Sequence, residues 1–195
     1  STELGPRDIP EKVATASEMI FLEGYLFDKN QGKEAFRQAS RMTRTAGGRA
    51  GIAISDPFCV NRHRNDFIEI IKNDLDFVIG NEHEIKSLNE TNDLEAAMSK
   101  TADMIKLMVC TRSGDGVTIM SNGERHDIPV NKITPVDATG AGDQFAAGFI
   151  YGMVTGRDLE TCGKMGNLCA AEVISHIGPR PANDMRREFA RARLE

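Results

Sequence analysis

The chain has 195 residues, 40% apolar and 6% aromatic with no Trp, so it can bury one aliphatic core of ordinary domain size. A net charge of −5 argues against a nucleic-acid binder, which normally shows a basic face. Cys59, Cys110, Cys162 and Cys169 show no CxxC spacing, no apolar run reaches membrane-spanning length and the polar start STELGPRDIPEK is no signal peptide, so a cytoplasmic protein with reduced thiols is expected.

In chain order, a helix-like DIPEKVATAS precedes a short strand, Met19 to Leu22. A helix from about Lys33 to Thr45 is stopped by Gly47-Gly48. Gly51 to Ile54 is a buried strand, and Phe67 to Ile71 sits on an amphipathic helix. Phe77-Val78-Ile79 is a third strand ended by Gly80, helices follow over Glu82 to Leu88 and Leu94 to Thr101, and Leu107 to Cys110 is a fourth strand. Val117 to Met120 and Arg125 to Val130, around Asn122-Gly123, read as a hairpin. Two longer helices (Gly142 to Val154, Leu159 to about His176) and a last one (Asn183 to Arg193) close the chain. Short apolar strands between helices imply a three-layer α/β/α domain over residues 1–195, with a mainly parallel sheet plus an antiparallel hairpin.

The segment richest in chemistry is Val136-Asp137-Ala138-Thr139-Gly140-Ala141-Gly142-Asp143-Gln144-Phe145-Ala146-Ala147-Gly148-Phe149. Gly140, Ala141 and Gly142 sit where a loop enters an apolar helix, so backbone N–H groups can approach a ligand closely. The aligned peptide dipoles add about half a positive charge there, which suits a phosphate whose charge grows in a transition state. Asp143, in the first turn, is placed to take a proton from an attacking hydroxyl. A bare GxG would mean only a tight helix start; the full DxxGAGD followed by small residues is far more specific. No GxxxxGK[ST] Walker loop is present.

DATGAGDQFAAGFIYG resembles the C-terminal signature of the ribokinase-like, or PfkB, carbohydrate and nucleoside kinases, with Ala138 where relatives carry Thr, Ser, Pro or Val. The resemblance implies a kinase using ATP and Mg²⁺, with Asp143 as catalytic base and Gly140, Ala141 and Gly142 lining an anion hole. Asn81-Glu82-His83-Glu84, after DFVIG, resembles the family's NxxE motif, in which Asn81 and Glu84 organise Mg²⁺ through water. Read without the family, the same residues are a helix N-cap and its capping box. Thr111-Arg112-Ser113-Gly114-Asp115-Gly116 resembles the segment bordering the nucleotide, with Ser113 where a glycine is usual; Thr111, Gly114 and Gly116 are the candidate contacts. Asn167, on the helix before His176-Ile177-Gly178, matches an adenine-side position, and Gly178 belongs to the loop beside it. Asp137 and Thr139, with backbone from Ile174 to Gly178, match where many relatives bind a monovalent cation such as K⁺.

Ser55-Asp56-Pro57-Phe58 and LEGYLFD are similar to segments of the adenosine-kinase-like branch. The acceptor implied is a nucleoside, with a sugar of the ribose or fructose class as the alternative. A non-catalytic nucleotide-binding module on the same fold is the other reading. Arg62 and Arg64 read as a solvated helix face, and His63, His83, His126 and His176 share no ligand spacing. The family's opening strand, N-terminal glycine pair and lid strands have no counterpart, so the chain is expected to be the C-terminal part of a longer kinase. The acceptor-binding half and lid would lie outside it, and without them ATP binding alone does not make the piece active. A homodimer is compatible with the resemblance; no membrane or nucleic-acid partner is expected.

Overall fold

A computed structural model describes residues 3–195. Helix α1 (Glu11–Ala16) precedes β1 (Met19–Glu23); α2 (Asn30–Thr45) leads to β2 (Arg49–Ala53) and α3 (Pro57–Asp74) to β3 (Phe77–Asn81). Helices α4 (Glu82–Leu88) and α5 (Leu94–Ala102) lead to β4 (Leu107–Thr111), and β5 (Val117–Ser121) and β6 (Glu124–Ile128) follow. Helices α6 (Ala141–Val154), α7 (Leu159–Val173) and α8 (Met185–Arg191) complete the chain. The fold is three-layer α/β/α, with six strands in one mixed sheet ordered β1-β2-β3-β4-β5-β6. The chain divides into two compact units: the first runs to Cys110 and takes in Met120–Gly123, and the second comprises Thr111–Ile119 and Glu124–Glu195.

In the first unit β1, β2 and β3 are parallel, with Phe21 opposite Gly51 and Gly51 opposite Phe77. The two rings stack across the glycine, centroids 6.0 Å apart and 6° from parallel. A Cβ on Gly51 would lie 2.1 Å from the Phe77 ring, so strand propensity gives way to packing here. The alternate residues Ala50, Ile52 and Ile54 enter a buried cluster with Phe67, Ile70 and Ile71 of α3. Phe27 stacks on Phe67 at 4.2 Å and meets Phe36 of α2 edge-on.

In the second unit, α6 and α7 approach closely because small residues line the contact. A Cβ on Gly148 would meet the Met165 carbonyl oxygen at 2.6 Å, and one on Gly166 the Phe145 ring at 2.7 Å. The hairpin turn, which belongs to the first unit, has positive φ at both Asn122 (51°) and Gly123 (81°), as a two-residue type I′ turn requires.

Helices and strands match the expected alternation, and the differences lie at their ends. Strand β6 stops at Ile128 because Pro129 has no N–H to continue a ladder. Helix α7 stops at Val173 rather than His176: the next carbonyl, that of Ile174, accepts the N–H of Val136 at 2.8 Å instead of a helical partner. Helix α3 is longer than its apolar stripe suggests, starts on an Asp56 cap and is kinked at His63. The 3₁₀ segment Gly24–Asp28 has no periodic signal. Among the described residues no helix is long and apolar enough to cross a membrane.

Candidate active site

The DxxGAGD segment lies wholly in the second unit. Gly140 is the residue before α6 and adopts φ 82°, a left-handed conformation costly for any side chain. A Cβ there would also sit 2.7 Å from Pro179 Cβ, whose carbonyl accepts from Gln144 Nε2 at 3.2 Å. The first turn is otherwise open, with no atom within 4 Å of a Cβ built on Gly142.

A helix start leaves N–H groups without intrahelical acceptors. Here Ala141 N–H donates to the Ala138 carbonyl at 3.2 Å and Gln144 N–H to the Gly140 carbonyl at 2.9 Å. Gly140 has no side chain with which to cap the rest. Among the described residues, the N–H groups of Gly142 and Asp143 find no acceptor. The exposed Asp143 carboxylate has no hydrogen-bond donor and no cation partner among them. A pair of unpartnered donors beside an unpartnered acceptor fits a phosphoryl group and the hydroxyl that attacks it.

Asp137 ties this loop to the one after α7. Its Oδ1 accepts Thr139 N–H at 2.9 Å and its Oδ2 accepts Gly178 N–H at 3.0 Å. The Thr139 hydroxyl and amide, with the Gly178 amide, hold the Asp137 carboxyl down at about 2. The expected cation residues Asp137, Thr139 and Gly178 are therefore neighbours, and Gly178 is held at φ 102°. Glu172 of α7 braces the same loop further on, accepting the N–H groups of Ala182 and Asn183, each at 2.9 Å. No sequence signal marks Glu172, because both partners lie beyond the end of its own helix.

Thr111 ends β4, and a 3₁₀ turn, Ser113–Asp115, follows. Ser113 has φ 49°, which gives a physical reason for glycine to be usual there. Gly116 is required by packing, since a Cβ would fall 2.1 Å from the Ile128 carbonyl oxygen. Gly114 is exposed, with only Lys132 Cε within 4 Å of its Cβ position. Asn167 is buried, and its Nδ2 donates to the carbonyls of Ile128 and Pro129, both at 3.4 Å. Its side chain thus holds the end of β6.

Asn81 and Glu84 lie in the first unit, where they form a complete capping box at α4. Asn81 Oδ1 accepts from His83 and Glu84 N–H, both at 2.9 Å, and Asn81 N–H donates to Glu84 Oε2 at 2.8 Å. Asn81 Nδ2 reaches Glu84 Oε1 at 2.7 Å. Burial, with a smaller contribution from Asp56, raises the Glu84 carboxyl above its ordinary value against the opposing Asn81 hydrogen bond. Each Glu84 oxygen keeps a lone pair, so the pair suits a metal approached through water.

Two exposed aromatic side chains stand in the same unit. Tyr25 follows β1 and is 55% exposed; Phe58 follows β2 and is 76% exposed. The Tyr25 hydroxyl donates to the Ser55 carbonyl at 3.2 Å. Because β1, β2 and β3 are parallel, Tyr25, Phe58 and the Asn81–Glu84 box all follow carboxyl ends of strands, where open α/β sheets bind ligands. Their exposure was not legible from local sequence. Arg62 and Arg64, by contrast, are engaged nearby: Arg62 forks onto Asp28, and Arg64 pairs with Glu90 at 2.8 Å.

The sequence profile described as pfkB family carbohydrate kinase matches residues 3–186. An uncharacterized sugar kinase of Archaeoglobus fulgidus is 36% identical over 121 residues, which cover 61% of this chain and 47% of that protein. The crystal structure of adenosine kinase from Sinorhizobium meliloti superposes with a TM-score of 0.95 at 38% identity, covering 98% of this chain and 59% of that one. A ribokinase II from E. coli, solved in complex with ATP and Mg²⁺, shares the fold at a TM-score of 0.88 and 18% identity, covering 99% of this chain and 64% of that one. The chain thus spans about half the length of the curated relative it matches.

Proposed function

Because this chain belongs to the pfkB family of carbohydrate kinases, we propose that it supplies the phosphoryl-transfer machinery of an enzyme that phosphorylates a primary hydroxyl of a nucleoside. The observation that carries this reading is the start of α6, where the N–H groups of Gly142 and Asp143 and the Asp143 carboxylate are all unpartnered among the described residues. Asp143 takes the proton of the acceptor hydroxyl as its oxygen bonds to the γ-phosphorus of ATP. The bond from that phosphorus to the β–γ bridging oxygen breaks, and ADP leaves. The two N–H groups and the α6 dipole stabilise the charge on the equatorial oxygens.

Mg²⁺, when bound, offsets charge on the phosphates. Asn81 and Glu84 would hold it through water, since their direct bonds are to each other. A monovalent cation such as K⁺ at Asp137 and Thr139 would bias the same loop electrostatically. Support for a nucleoside acceptor over a sugar is the aromatic pair Tyr25 and Phe58, which offers flat apolar faces suited to a base. The identity to an adenosine kinase points the same way.

The test is incubation of the full-length protein with Mg-ATP and a panel of nucleosides and sugars, with phosphorylated product measured by mass. A nucleoside 5′-monophosphate is expected. ATP binding with no product from any acceptor would leave a nucleotide-binding module, and product from sugars alone would replace the nucleoside.

A further inference from the structure

We propose that Asp28 is a positioning residue whose carboxylate clamps the segments carrying Tyr25 and Phe58 into one rigid platform for the acceptor. The proposal rests on the reading of Tyr25 and Phe58 given above.

Tyr25 and Asp28 share the 3₁₀ segment Gly24–Asp28. Phe58 and Arg62 share the first part of α3, which His63 interrupts with φ −127° and ψ 24°. That kink turns Pro57–Arg62 away from the axis of the longer part of the helix, while Cys59 and Val60 keep its inner face in the core. Core packing fixes its inner face, and its exposed face, which carries Phe58 and Arg62, is held by tertiary bonds. Arg62 Nε donates to Asp28 Oδ1 at 3.1 Å, and Arg62 Nη2 donates to Oδ1 at 3.0 Å and Oδ2 at 2.9 Å. His63 Nε2 lies 2.9 Å from Asp28 Oδ1. Lys33 Nζ of α2 lies 3.2 Å from His63 Nδ1 and 2.6 Å from Asp66 Oδ2. An ammonium can only donate, so Nδ1 accepts and Nε2 carries the hydrogen that Asp28 takes. Two weaker ties join the same segments: Cys59 Sγ to the Gly24 carbonyl at 3.3 Å and the Tyr25 hydroxyl to the Ser55 carbonyl. One carboxylate thus joins the 3₁₀ segment to α3 just before and at its kink, and through His63 to α2.

This joint is not mainly a device for global stability. The Arg62 and Asp28 side chains are 53% and 46% exposed, and ion pairs that open to water contribute little to folding. Its effect is local. Two exposed rings on separate segments bind a flat ligand well only if their relative placement is fixed beforehand, because ordering them on binding weakens affinity.

The test uses full-length protein carrying Asp28→Asn or Asp28→Glu. In protein labelled with 3-fluorotyrosine, the ¹⁹F resonance lost in Tyr25→Phe identifies Tyr25. Asp28→Asn is expected to narrow that resonance in the ligand-free protein, as local motion increases. With whichever acceptor the parent protein phosphorylates, KM for that acceptor should rise about tenfold while KM for ATP stays within about twofold, and Asp28→Glu should recover most of the loss. An unchanged Tyr25 line, or an unchanged acceptor KM, overturns the proposal. So does a parallel rise of both KM values with a lowered melting temperature, which would mark a merely structural residue. If the parent protein phosphorylates nothing, the functional reading fails and the Tyr25 line alone decides the clamp.

Discussion

At the start of α4 the N–H groups of His83 and Glu84 donate to the Asn81 side chain, whereas at the start of α6 those of Gly142 and Asp143 donate to nothing among the described residues. Each helix follows a segment with a family motif, and each faces the deficit of acceptors common to helix starts. At α4 an asparagine and a glutamate cap one another, so the end is satisfied without a ligand. At α6 a glycine stands in the capping position, held there by its φ and by Pro179, and its lack of a side chain leaves the end open. The difference teaches that a motif's residues are not equal in role. A satisfied cap is structure first and ligand contact second; an open one is a place for an anion.

The sharpest way to break this contrast is Asp143→Asn. An exposed, unpartnered carboxylate supports no fold, so stability should change by less than about 0.5 kcal/mol. Turnover should nevertheless fall about 10³-fold with ATP affinity nearly unchanged, as expected for loss of a general base. Normal turnover in this variant would remove Asp143 from the chemistry.

Gly140→Ala attacks the geometry that keeps the α6 start open. The left-handed φ and the Pro179 contact together should cost about 2 kcal/mol in urea unfolding, with ATP binding weakened alongside. A neutral result would mean that the loop relaxes around a methyl group.

Asn81→Ala probes the closed end and should reverse the pattern seen at Asp143. Losing the cap should lower stability by about 1 kcal/mol, and the Mg²⁺ concentration for half-maximal activity should rise without loss of the maximal rate. Reduced stability with an unchanged Mg²⁺ requirement would confine the box to capping.

The smallest expected effects are in pH dependence, and they have opposite signs. Glu84 has a folded value raised above 4.5, so the folded state binds the proton more tightly, and stability falls as pH rises from 4.5 through the folded value. Glu84→Gln should remove that slope. Asp137 has a folded value of about 2 against an ordinary 3.8, so its contribution is present above 3.8 and lost as pH falls through 2. Asp137→Asn should flatten that acid limb in urea titrations between these values.

Much of this was legible in the sequence because it is local. Apolar periodicity placed β1 to β4, Asn122-Gly123 placed the hairpin, and DxxGAGD marked the α6 start. The capping box at Asn81 and Glu84 was equally visible, since its four bonds close within three residues. What escaped depends on distant partners. Asp28 and Arg62 are 34 residues apart, and the end of α7 is set by a carbonyl that bonds back to Val136. The exposure of Tyr25 and Phe58 is likewise a tertiary property; in sequence they resemble any aromatic residue beside a strand. The amide bonds of Asn167 to the carbonyls at the end of β6 are another contact that helical spacing does not reveal.

The most direct measurement is the amide NMR response of Gly142 and Asp143 to a non-hydrolysable ATP analogue with Mg²⁺. Both N–H resonances should move downfield and resist hydrogen exchange on binding, while those of His83 and Glu84, already bonded to Asn81, should move little. Saturation of the protein by the analogue with the Gly142 and Asp143 amides unmoved would contradict the assignment of the α6 start as the phosphoryl site.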